Sequence, residues 1–137
     1  MTRIESDKVA IDRPQKELFE FLSDFNNFKM LMPEQVTDWI SDAQSCSFTI
    51  KGMASLGMAY ENKTPNSEIK IRRNGKAPFD FYLTCYIQNN VADKSSVLQL
   101  VFDADLNPLL KMMAEKPLTN FLNMLVNKYK EIAESKT

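Results

Sequence analysis

Between Val36 and Leu106 apolar and polar residues alternate with a period of two, interrupted about every ten residues by turn-forming types. That pattern requires an antiparallel meander, because side chains on a strand point alternately to opposite faces of the sheet. Six strands are expected, near Val36 to Ser41, Ser45 to Lys51, Ala54 to Asn62, Glu68 to Arg73, Phe79 to Gln88 and Ser96 to Asp105. In the last two, Phe79, Phe81, Leu83, Cys85 and Ile87, and then Leu98, Leu100, Phe102 and Ala104, share one greasy face. Asn74-Gly75 reads as a tight type I′ hairpin, whose central positions need positive φ, and Pro65-Asn66-Ser67 as the next clearest turn. Lys51-Gly52 marks a bend, and Asn89 to Ser95 a longer loop.

The meander is flanked by segments of helical period. Ile4 to Ile11 alternates and forms a first strand, making seven. Asp12 with Gln15 has the form of a capping box, and Leu18, Phe21, Leu22 and Phe25 then follow at helical spacing. Asn26 and Asn27 can cap a second short helix, which Pro33 stops. At the other end Asn107-Pro108 opens a helical pattern that runs to about Glu134. Leu118, Phe121, Leu122, Leu125, Tyr129 and Ile132 form one stripe, whereas Leu109, Met112 and Met113 fall nearly opposite if the helix runs straight. A proline inside a helix costs about 3 kcal/mol, so a break or kink is expected near Lys116 and Pro117.

Composition excludes several classes of function. A length of 137 residues fits one domain, 1–137. The chain has no histidine, which removes Ser-His-Asp triads, Cys-His pairs and histidine-ligated metals together. No metal, cofactor or covalent nucleophile is therefore expected. Seventeen basic against eighteen acidic residues leave no charge excess for a nucleic acid. No stretch approaches the roughly 18 apolar residues of a membrane span, and Glu5, Asp7, Lys8 and Asp12 interrupt any signal-peptide core, so a cytoplasmic location is expected. Cys46 and Cys85 lack CxxC spacing and read as buried free thiols.

The order strand, two short helices, six strands, long helix resembles the helix-grip superfamily of START lipid-transfer domains, plant pathogenesis-related allergens and bacterial polyketide cyclase-like proteins (SRPBCC). The most recognisable piece is Val9-Ala10-Ile11-Asp12-Arg13-Pro14 leading into Leu18-Phe19-Glu20-Phe21-Leu22-Ser23-Asp24. The resemblance implies an α+β fold, a curved seven-stranded antiparallel sheet wrapped around a long C-terminal helix. It also implies a small hydrophobic ligand (lipid, polyketide-like or aromatic) carried between sheet and helix. A cyclase or dehydratase, or a cochaperone-like interaction module docking through Leu109, Met112 and Met113, are the alternatives; an activity as an enzyme is not favoured.

Strand parity and that resemblance together put Phe48, Met58, Tyr60, Ile71, Phe81, Leu83, Leu100, Phe102, Leu109, Met112, Met113, Phe121 and Leu125 at the ligand. No catalytic residue is assigned. Tyr60 is the most plausible inward polar group, with a core tyrosine of satisfied hydroxyl as the commoner outcome. Oligomeric state is not readable from the sequence.

Overall fold

In the computed structural model, which describes residues 1–90 and 94–135, the alternating segments pair into one antiparallel sheet. The middle of the loop expected at Asn89 to Ser95 lies outside the described residues. The strands are β1 (Thr2–Glu5), β2 (Val9–Ile11), β3 (Val36–Ser41), β4 (Ser45–Ile50), β5 (Ala54–Thr64), β6 (Glu68–Arg73), β7 (Phe81–Asn89) and β8 (Ser96–Ala104). Their spatial order is β1-β8-β7-β6-β5-β4-β3, with β2 also paired to β8. Between β2 and β3 lie helices α1 (Gln15–Leu22) and α2 (Phe25–Phe28) and a 3-10 turn at Lys29–Leu31, and α3 (Pro108–Glu134) closes the chain.

The expected first strand is divided into two, which raises the count to eight. Glu5 pairs with Val101 and Val9 with Leu98, so three residues on this side face two on β8. The extra residue makes a bulge. Ser6 holds it shut: its N–H donates to the Leu100 carbonyl at 2.9 Å and its hydroxyl accepts the Leu100 N–H at 2.9 Å.

Burial follows the parity. Phe81, Leu83, Cys85 and Ile87 on β7 and Leu98, Leu100, Phe102 and Ala104 on β8 are all buried, and α3 covers them with Leu118, Phe121, Leu122, Leu125, Val126 and Tyr129. Thr84 and Val101, paired across the outer face, are also buried. α1 and α2 add Leu18, Leu22, Phe25 and Phe28 to the same core.

Four local expectations need correction. Asp12 does not cap α1: Pro14 occupies the N-cap position, and the Asp12 N–H instead donates to the Glu134 carboxylate at 3.0 Å. The second short helix is capped by Asp24, whose side chain accepts the Asn26 N–H, and not by Asn26 or Asn27.

Asn74-Gly75 is not a two-residue hairpin either, since β6 ends at Arg73 and β7 begins at Phe81. Instead residues 74–76 fold back along β5, where the Asn74 N–H donates to the Gly57 carbonyl and the Gly57 N–H to the Lys76 carbonyl. A side chain at Gly57 would obstruct this, because its Cβ would stand 2.0 Å from the Asn74 carbonyl oxygen.

Of the break or kink expected near Lys116 and Pro117, the break is not found, since α3 is one helix of 27 residues that continues through Pro117. The two stripes did not have to face one body. Leu109, Met112 and Met113 remain 67%, 80% and 67% exposed, and only Ala114 before the proline is buried. The helix is anchored beyond the proline instead: Asn123 accepts the Asp7 N–H, and Lys130 donates to the Ala10 carbonyl.

Candidate functional site: an apolar cavity under the long helix

Where α3 crosses the sheet the packing leaves a cavity of about 30 Å³. Its sheet side is formed by Phe48 and Ile50 of β4, Leu56 and Met58 of β5, Leu83 of β7 and Phe102 of β8. Leu118, Phe121, Leu122 and Leu125 of α3 roof it, and Phe28 and Met32 close the end beside the 3-10 turn. Every lining residue is apolar. Larger concavities, of about 330 Å³ beside Asp38, Ser47, Thr49 and Lys76 and about 490 Å³ along Asn120, Asn123 and Asn127, are open depressions of the outer surface.

Six of the thirteen residues expected at a ligand, Phe48, Met58, Leu83, Phe102, Phe121 and Leu125, are brought together here. Ile71, Phe81 and Leu100 are buried in the core without lining the void, and Leu109, Met112 and Met113 lie on the solvent side. The sequence reading missed Ile50, Leu56, Leu118 and Leu122, although each shares the parity or helical stripe of a residue that it named. Phe28 and Met32 lie outside the strand parity and the stripe of α3, since they arrive from the short helices and the segment after them.

Tyr60 does not reach the cavity. Its ring stacks on Phe25 at 4.2 Å between centroids, Lys63 Nζ lies 4.1 Å from its ring centre, and its hydroxyl donates to the Leu22 carbonyl. Burial, reinforced by the neighbouring Cys85, Asp24 and Cys46, pushes its hydroxyl well above the ordinary tyrosine value. It stays protonated at neutral pH and serves as a tie between β5 and α1. Cys46 and Cys85 are free and buried, and desolvation pushes each thiol up to about 12. Neither is a thiolate nucleophile near neutrality.

Among the described residues no three His, Cys, Asp or Glu side chains group as metal ligands, and no helix is long and apolar enough to cross a membrane. The lining residues of the cavity are all apolar, so what they can do is enclose apolar matter.

No protein-family model matches the chain, and no curated protein does. Solved structures do resemble it over nearly its whole length. A START superfamily protein from Mycobacterium smegmatis superposes with a TM-score of 0.77 at 14% identity, covering 98% of this chain and 99% of the other. Norcoclaurine synthase from Thalictrum flavum, solved with dopamine and hydroxybenzaldehyde, gives 0.73 at 12% identity over 99% and 88% of the two chains. The Aha1 dimer from Colwellia psychrerythraea gives 0.70 at 11% identity over 98% and 97%. At such identities the likeness concerns the backbone alone, and it agrees with the strand order and the helix across the sheet: the chain has the helix-grip fold.

Proposed function

We propose that the protein binds a small hydrophobic molecule between the sheet and α3. The observation that carries this reading is the cavity itself, placed where the two layers meet and lined only by apolar side chains. Small-molecule sites usually measure about 300–1,000 Å³. A void of about 30 Å³ must therefore enlarge on binding. Two features supply the means. Met32 and Met58 are unbranched thioethers that change rotamer at little cost. The first nine residues of α3 bury only Ala114, and among the described residues no hydrogen bond or ion pair ties them to another element. A cytoplasmic location accords with two free thiols.

The test is saturable binding of an environment-sensitive apolar dye to the native protein, displaced by fatty acids or polycyclic aromatics. Absence of any saturable binding would sink the reading.

A second reading, an interaction module, is favoured by the exposed Leu109, Met112 and Met113 on successive turns of α3. The Aha1 neighbour is described as a dimer, so the first partner to test is a second copy of this chain. On this reading sedimentation shows concentration-dependent association that the double substitution Met112→Gln, Met113→Gln abolishes. A monomer at every concentration would remove self-association.

A further inference from the structure

Resting on the reading of the cavity as a binding site, we infer that the part of the ligand held there is pure hydrocarbon, and that the site rejects any molecule that must bury a hydroxyl, amine or carboxyl group. The first ground is the wall: aliphatic, aromatic and thioether groups of β4, β5, β7, β8 and α3, with no hydroxyl, amide or charge.

The second ground is the state of the polar groups elsewhere in the interior. Among the described residues no buried side-chain nitrogen or oxygen lacks a hydrogen-bond partner. Three polar side chains of the interior are committed to the fold. Tyr60 donates to the Leu22 carbonyl, Ser96 to the Arg13 carbonyl, and Ser6 is bonded to both Asp7 and Leu100. Recruiting any of these three would break a bond within the protein. Sites that recognise a buried polar group usually place a few polar groups against it. Here none lines the void.

The energetic consequence can be stated as a comparison of solvents. Octanol can hydrogen-bond a hydroxyl, so transfer from water to octanol discriminates weakly between a hydrocarbon and its hydroxylated analogue, whereas an alkane discriminates strongly. A wall without donors or acceptors behaves as the alkane. An amphiphile is accepted only with its hydrocarbon end inward and its polar group at the solvent edge.

Toluene and phenol, of nearly equal size, test this by calorimetric or NMR titration of the intact protein. The ratio of their affinities is compared with the ratio of their octanol–water partition coefficients, measured in parallel. The expected affinity ratio exceeds the partition ratio by at least about tenfold, with methyl shifts at Leu83, Leu122 and Leu125 on adding toluene. An affinity ratio equal to or below the partition ratio, with the same methyls shifting for both compounds, would overturn the selectivity and leave the binding site standing. No binding of either compound would remove the binding site and the selectivity together. Met58→Gln brings an amide to the wall and is expected to lower the ratio towards the octanol value. An unchanged ratio in the folded variant would count against the wall as its cause, and the wild-type ratio decides the matter if the variant does not fold.

Discussion

At the scale of single residues, the absence of one side chain and the burial of two thiols have measurable consequences. Gly57 lets residues 74–76 lie against β5, and the atoms that a methyl group would meet there are main-chain atoms, the Asn74 oxygen at 2.0 Å and carbonyl carbon at 3.2 Å. They cannot rotate away as a side chain could. Gly57→Ala is expected to cost roughly 1–3 kcal/mol in urea denaturation, and an unchanged midpoint would mean that the 74–80 segment is free to lift. Cys46 and Cys85 set an alkaline limit. Burial raises each thiol to about 12 in the folded state, whereas in the unfolded chain a thiol ionises near 8.5. Below that lower value both states carry the proton and the thiols add no pH dependence. As pH rises through the interval the unfolded state loses protons that the folded state keeps, so stability falls from about pH 8.5 towards about pH 12. Denaturation midpoints across that window check the slope, which Cys46→Ala and Cys85→Ala together should flatten.

At the scale of elements, α3 combines a long anchored half with a short free one. Pro117 lies inside it, exposed, and supplies no N–H to the Met113 carbonyl. Pro117→Ala restores that donor without disturbing a buried contact and is expected to stabilise the protein by about 1–3 kcal/mol. Hydrogen exchange at residues 110–116 should slow in the same variant; equal exchange would show that the proline is not what loosens this segment. The same helix illustrates what the sequence could disclose. β7 and β8 were legible because strict alternation records burial directly, and the second half of α3 because its stripe matches the covered face of the sheet. The stripe conflict before Pro117 was legible too, but its resolution was not: periodicity marks a face as apolar without saying that something must cover it. The division between β1 and β2 depends on a single bulged residue, which leaves the alternation of each piece intact. The Asn74-Gly75 turn was misread because its geometry is dictated by Gly57, seventeen positions away by subtraction of the two numbers. Half of the cavity lining was missed for a related reason. Parity says which face a residue is on, whereas whether it borders a void or a neighbour depends on how the two layers meet.

At the scale of the whole molecule, the question is how a layer of sheet and one helix divide the space between them. The inner faces are filled by aromatic and aliphatic side chains, with Phe81 stacked on Phe102 at 5.1 Å and Trp39 on Phe48 at 5.2 Å. What remains is about 30 Å³. A cavity of this size admits little, but its position makes it the place where a deletion should be converted into ligand binding. Leu83 lines it from β7 and is 4% exposed. Removing its isobutyl group in Leu83→Ala joins new space to the existing void, and the loss is expected to be about 2–5 kcal/mol, set by how far the surroundings collapse. An apolar void of roughly 150 Å³ stays dry and accepts benzene, so toluene should recover part of that loss. A ligand bound only by the folded state restores about 2.7 kcal/mol at a hundredfold excess over its dissociation constant. The thermal midpoint of Leu83→Ala should therefore climb with the logarithm of toluene concentration, and more steeply than that of the wild type at low concentration, because the wild-type site must first enlarge. If Leu83→Ala is destabilised and toluene raises neither midpoint, the layers close over the gap and the interior of this fold serves as packing alone.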